Sequence, residues 1–307
     1  MLIFHTGASA QHVTPDGHPE RAARVEAVLR GARALAAKWR DCPLGEEAAI
    51  LRAHSAAHLA RVQAAAPRQG WAQMDGDTFM STGSLEAALR AVGGACAAVD
   101  AVLGGEDKRA FVIARPPGHH AERDRAMGFC LFSTVAIAAL HALAVHDLSR
   151  VAIVDFDVHH GNGTQDVLWD EARVRFFSSH QSPLYPGTGA AADVGAHGQI
   201  FNIPLREGGG GAAMRRAYET MVFPSLRQFA PQLVLISAGF DAHADDPLGG
   251  LGWQSEDYAW ITQHLCAIAD ACCEGRVVSC LEGGYDLDAL AASVAAHLGA
   301  MAGGRDE

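Results

Sequence analysis

No basic run interrupts this chain, no two of its cysteines stand at CxxC spacing, and no segment reaches the roughly 18 uninterrupted apolar residues of a membrane span. Each absence removes a class of function. With a formal net charge of -11, the lack of a basic run argues against nucleic-acid binding and favours cationic or neutral ligands. The seven cysteines (Cys42, Cys96, Cys130, Cys266, Cys272, Cys273, Cys280) are odd in number and lie mostly in apolar segments, so they read as reduced core residues. The opening MLIFHTGASA has no basic stretch followed by a long apolar one, so neither secretion nor membrane insertion is expected, and the expected location is the cytoplasm. No proline-rich linker, low-complexity tract or repeat divides the 307 residues, and 49% hydrophobic residues suffice for a full core. One domain over 1–307 is expected.

What is present is an alternation of short apolar runs with segments of helical period. Strands are predicted over 2–4, 111–114, 151–154, 174–178, 200–203, 233–237 and 277–281. Helices are predicted from His18, over 55–66, from Ser84 to 103, over 132–146 and 212–229, and from Ser255. The polar, glycine-bearing stretch 68–83 reads as a rim loop. This pattern predicts a doubly wound α/β fold whose ligands bind beyond the carboxyl ends of the strands. Four such ends carry unusual chemistry: His119-His120, the run VDFDVHHGNG, Asp241 and Tyr285.

Asp155, Asp157 and His159 alternate directly after the apolar run 151–154, so while the chain stays extended they leave one face together. Asp157 and His159 offer an oxygen and a nitrogen ligand, and catalytic zinc usually takes three protein ligands. Asp241, following an apolar strand through small Ala238 and Gly239, is the candidate third. A DxH pair by itself is more often a capped turn with a surface histidine; Asp241 and the paired histidines are what favour a metal. His119 and His120, after Pro116-Pro117-Gly118, are candidates for acid-base work, with Asp155 orienting His119 and the Asn162 carbonyl orienting His120. Their alternative is a solvated loop. Tyr285, after Gly283 and Gly284, is either a packing tyrosine or a hydroxyl donor to a developing oxyanion. Phe129 and Tyr185 are candidate aromatic walls of a small-molecule pocket or plain core residues. The GNG at 161–163 has neither a Walker lysine nor dinucleotide spacing, so nucleotide binding is discarded.

Six ordered blocks, HPERAAR, RPPGHHAE with MGFC, VDFDVHHGNGTQ, YPGTG, SAGFDAHADDPLGG and LEGGYD, resemble the zinc-dependent histone deacetylase family, with its bacterial deacetylase-like and acetylpolyamine amidohydrolase members. Asn162 and the SAGFD wording resemble its class II branch. The resemblance implies a single-domain arginase/deacetylase-like α/β/α fold with a mostly parallel sheet of about eight strands. It implies one catalytic Zn2+ on Asp157, His159 and Asp241, His120 as general base and acid with His119 as its electrostatic companion, and Tyr285 as the carbonyl-polarising residue. Gly128 would accept the substrate amide N–H. Phe129 and Tyr185 would flank an acyl-lysine stem, with Leu248, Gly283 and Gly284 also contacting substrate and Asp77 at the rim. Structural K+ is implied at Asp155, Asp157, His159, Ser178 and Ser179, with a second ion at the 168–174 turn, and Arg21 matches an arginine near an internal cavity. The implied reaction releases acetate and a free amine from acetyl-lysine, which apolar Leu248 favours, or from an acetylated polyamine. Two other classes stay open: a manganese ureohydrolase, which would need a second carboxylate cluster, and a silent acetyl-ligand module, against which Tyr285 counts.

Overall fold

The computed structural model describes residues 1–303. Among them, ten strands form: β1 Leu2–His5, β2 Lys38–Asp41, β3 Ala72–Gln73, β4 Phe79–Met80, β5 Arg109–Val112, β6 Val151–Asp155, β7 Val174–Gln181, β8 Ile200–Leu205, β9 Leu233–Ala238 and β10 Val277–Leu281. The ten α-helices are α1 Ala23–Ala32, α2 Glu47–Ala53, α3 Ala56–Ala65, α4 Ser84–Leu103, α5 Thr134–Val145, α6 Asn162–Val167, α7 Gly210–Ala217, α8 Phe223–Phe229, α9 Ser255–Cys273 and α10 Leu287–Met301. No helix among the described residues is long and apolar enough to cross a membrane.

Eight strands make one all-parallel sheet in the order β2-β1-β5-β10-β9-β6-β7-β8. Its central strands are apolar without alternation because both faces are covered. Val151 and Ile153 point into the core shared with α2 to α5, whereas Ala152 and Val154 point into the core shared with α1 and α8 to α10. Each fully buried valine or isoleucine contributes about 1.5–3 kcal/mol of transfer free energy. The expected layered, mostly parallel architecture is therefore what the chain adopts.

Local departures have local causes. Strand β2, KWRD, has no apolar signal because it is an exposed edge strand. The helix expected from His18 starts at Ala23, since the residues before it form turns that bury Glu20. The helix expected over 212–229 is two, joined by a π turn at Tyr218–Val222 just before Pro224, whose missing N–H cannot bond the preceding turn. Within 68–83, β3 and β4 pair as a small antiparallel hairpin.

The four chemically unusual loops follow β5, β10, β9 and β6, which are four consecutive strands at the centre of the sheet. Parallel pairing puts all four carboxyl ends at one edge, so residues 119 to 285 meet there.

Candidate active site

Asp157, His159 and Asp241 are buried, and one ligand atom from each lies within 4.8 Å of the others. His159 Nδ1 stands 3.0 Å from Asp157 Oδ1 and 3.2 Å from Asp241 Oδ2. The second contact is outside hydrogen-bonding geometry, which leaves Asp241 Oδ2 a buried carboxylate oxygen without a donor. Backbone amides fix the other oxygens: Val158 N–H donates to Asp241 Oδ1 at 2.8 Å and Gly283 N–H to Asp157 Oδ2 at 2.9 Å. Glycine is required around this cradle. A Cβ on Gly283 would stand 2.0 Å from Asp241 Oδ2, and one on Gly239 would stand 2.1 Å from Asp157 Oδ2. Burial and the neighbouring Asp157 carboxylate push Asp241 up to about 7. Against the cost of its burial, Asp157 and Asp241 raise His159 to about 10. Converging buried carboxylates around one imidazole could hold a cation, by charge and by donor type.

The two histidines after β5 differ in partner. His119 Nδ1 lies 3.0 Å from Asp155 Oδ2, and its Nε2 lies 3.7 Å from Asp157 Oδ2. Burial opposes its charge, yet Asp157 and Asp155 raise it well above the usual imidazole range. His120 Nδ1 lies 2.7 Å from Asn162 Oδ1, and burial followed by the charges of His119 and His159 holds it well below that range. The Asn162 amide is oriented from its other end, because its Nδ2 donates to Glu122 Oε1 at 2.8 Å. Its oxygen therefore faces His120, so Nδ1 carries the hydrogen and Nε2 keeps its lone pair.

His120 and His159 reach a pocket of about 210 Å³ whose walls include Phe129, Tyr185, Leu248 and Tyr285, together with Gly128 and Leu184. The Tyr185 ring stands 5.2 Å from His120, edge to face, and Phe129 stands 5.9 Å from Tyr285. Gly128, at φ 55°, packs so closely that a Cβ would meet the His120 ring at 2.4 Å. Burial raises Tyr285 well above the ordinary phenol range, so its hydroxyl stays a donor. Asp77 lies outside the pocket lining, on the half-buried rim, with its main-chain oxygen 2.9 Å from His18 Nε2.

Arg21 is exposed and does not approach the site; Arg24, one helical turn inward, is the buried arginine there. Its guanidinium lies 4.9 Å over the Tyr285 ring and donates to the Gly284 and Glu282 carbonyls at 2.6 and 2.5 Å. The block HPERAAR holds two arginines, and only the helix phase separates them. Ser178 pairs in register with Asp155, its Oγ 3.0 Å from His180 Nδ1, and Ser179 Oγ lies 2.8 Å from the Tyr218 hydroxyl. At the 168–174 turn, the Gln199 amide donates to the Leu168 and Trp169 carbonyls at 3.0 and 2.8 Å. Among the described residues no second carboxylate cluster forms beside the first: the Asp245 side chain is 75% exposed, 3.7 Å from His243 Nδ1.

Three residues near the site lie outside the sequence expectations. Buried Glu282 accepts from the Gly118 and His119 amides at 2.6 and 3.1 Å and so ties the end of β10 to the paired histidines. Burial pushes it up to about 7. Asp246 accepts from the Tyr285 amide at 2.6 Å, and Leu184 adds an apolar wall. A carboxylate directly after the apolar run VVSCL is the signal that would have found Glu282, as it found Asp241.

Comparison with known proteins agrees with this geometry. The histone deacetylase domain model matches residues 18–301. Histone deacetylase 14, chloroplastic, of Arabidopsis thaliana is 36% identical, over 98% of this chain and 77% of its own. The histone deacetylase-like amidohydrolase of Pseudomonas aeruginosa is 38% identical, over 92% of this chain and 77% of its own. The crystal structure of the HDA15 HD domain superposes with a TM-score of 0.93 at 32% identity, covering 99% of this chain and 91% of that one. A parallel sheet that brings six recognisable blocks to one edge, matched in sequence and in three dimensions over nearly the whole length, places this chain in the histone deacetylase family, as one of its hydrolases.

Proposed function

We propose that this enzyme cleaves the amide of N-acetyl-lysine, releasing acetate and the free amine, with one zinc ion on Asp157, His159 and Asp241. The carrying observation is the pocket of about 210 Å³ that runs between Phe129 and Tyr185 to His120, His159 and Tyr285. Two carboxylates, one imidazole, a buried oxygen without a donor and a glycine cradle suit a zinc-sized cation. Bound there, the ion would supply Lewis-acid polarisation of the acyl carbonyl and of water.

The chain's own residues do the rest. His120, with Nδ1–H on Asn162, presents Nε2 as the base that takes a proton from attacking water and returns it to the departing amine. His119, kept positive by Asp155 and Asp157, stabilises negative charge developing beside it. The Tyr285 hydroxyl donates to the substrate carbonyl oxygen as it gains charge. The Gly128 carbonyl takes the substrate amide N–H, and the two aromatic walls exclude water from the acyl stem. Structural K+ bound by oxygens near Asp155 and Ser178 belongs to the same proposal, and a K+-dependent rise in melting temperature checks it.

Leu248 on the pocket wall favours acetyl-lysine, since an apolar residue there offers no partner to a distal ammonium. Asp75 and Asp77, close enough to act on Tyr185, are what favours a polyamine. A panel of acetyl-lysine peptides, acetylated polyamines and longer acyl-lysines, with and without a hydroxamate chelator, decides between them. Fastest turnover of acetyl-lysine, abolished by the hydroxamate, is expected; no cleavage of any amide with zinc supplied sinks the reading.

A further inference from the structure

A second cluster of metal-ligand type stands far from the pocket. Asp100, in the last turn of α4, has Oδ1 2.7 Å from His141 Nε2 on α5 and 2.7 Å from His146 Nε2 at the end of α5. On a regular helix, residues five apart point about 140° away from each other. Helix α5 instead ends at Val145, and His146, its C-cap, leaves helical geometry at φ -108°, which sets its ring beside His141. The two rings stand 5.9 Å apart, and their side chains are 12% and 26% exposed, so the cluster is half sheltered yet reachable.

A second observation points to a cation. The carboxyl-terminal ends of α4 and α5 both face this spot, and neither has a lysine or arginine in its last turn. Two negative helix ends and a carboxylate thus converge with no lysine or arginine in either last turn, Arg52 of α2 being the cation on the adjoining cleft. One wall opens on a cleft of about 340 Å³ that Leu44, Glu46, Arg52 and Cys96 also line, leaving room for water on the remaining coordination positions.

We infer that Asp100, His141 and His146 form a second divalent-metal site, selective for zinc and similar first-row ions over magnesium or calcium because two of its three donors are imidazole nitrogens. Tetrahedral bonds of about 2.0–2.1 Å require ligand atoms roughly 3.3 Å apart, so the ion wedges the present 2.7 Å contacts open by a few tenths of an ångström per side chain. His146 precedes β6 by a few residues, so the site lies at the amino end of that strand, opposite the edge that carries the pocket. Its role is to pin α4 to α5, and it takes no part in amide cleavage.

The test is zinc stoichiometry by titration calorimetry and by metal analysis after dialysis, on the full chain. The unmodified protein should hold two ions, His146→Ala and Asp100→Asn one each, and Asp241→Ala one. Zinc should also raise the melting temperature of Asp241→Ala and not that of an Asp241→Ala/His146→Ala double variant. His146 is partly exposed and Asp100→Asn nearly isosteric, so both variants should fold and keep turnover with zinc bound in the pocket. One ion in the unmodified protein, or two ions still held by His146→Ala and Asp100→Asn, overturns the inference.

Discussion

Asn162 does with one amide what a carboxylate does elsewhere in the same site: it orients an imidazole, but it adds no charge. Between Glu122 and His120 it holds Nδ1–H without stabilising the imidazolium, so His120 stays a neutral base beside a positive His119. Asn162→Asp should therefore favour protonated His120, and the acidic limb of the kcat/KM profile should move up by about one pH unit. An unmoved limb would mean that another group titrates. Tyr285→Phe, which keeps the ring against Arg24 and loses only the hydroxyl, should retain zinc while kcat falls by roughly two to three orders of magnitude. Metal analysis alongside single-turnover kinetics separates the two effects. At this scale the sequence exposed the residues with an obvious chemical signature, such as Asp157, His159 and the paired histidines. It hid Asp246, whose work is to hold backbone amides, because a carboxylate bonded to main chain looks like any other carboxylate until the fold brings the amides to it. The choice of Arg24 over Arg21 was hidden for a related reason: it depends on where helix α1 begins.

The elements carry the glycines that let ligands approach. Gly283, two residues past β10, sits against carboxylate oxygens of both aspartates, so Gly283→Ala should displace them and lower zinc affinity at least tenfold. Competition with a zinc indicator measures this directly, and undiminished affinity would show that the cradle yields. Most elements were legible because their periods are clean: the doubly buried strands as short apolar runs, and α4 and α9 as long amphipathic stretches. The edge strand β2 was not, since an exposed edge has no core to impose a pattern. The division of the 212–229 segment depends on a single proline acting on the preceding turn, an effect that period counting averages away.

For the whole molecule, buried Glu20 is a joint between layers. It pairs with Arg115 after β5 at 2.6 Å, with Arg24 of α1 at 3.0 Å and with His12 at 3.2 Å. Although burial opposes its charge, Arg115 and the His12 hydrogen bond hold Glu20 well below the usual carboxylate range. A depressed folded-state pKa contributes stability that is full above the unfolded pKa near 4.5 and is lost as pH falls below it toward the folded value. Glu20→Gln should therefore cost about 3–5 kcal/mol at pH 7, by stranding two buried arginines, and should flatten the loss of stability below about pH 4.5. Urea denaturation of both proteins across that range checks both parts. Strand order is the feature of this scale that no linear reading supplies, because adjacency in the sheet is unrelated to adjacency in the chain.

That order has a consequence for how the protein is made. Strand β10 is the last to leave the ribosome, yet it lies between β5 and β9. Until residue 277 emerges, those two strands each present an unpaired edge at the middle of the molecule, the exposure that most invites pairing with another chain. Asp157, His159 and Asp241, on the loops after β6 and β9, are already synthesised by then. Tyr285 and the glycines that close the cradle arrive with the strand that seals the gap, so a half-made chain carries the proposed metal ligands before it carries the proposed hydroxyl donor.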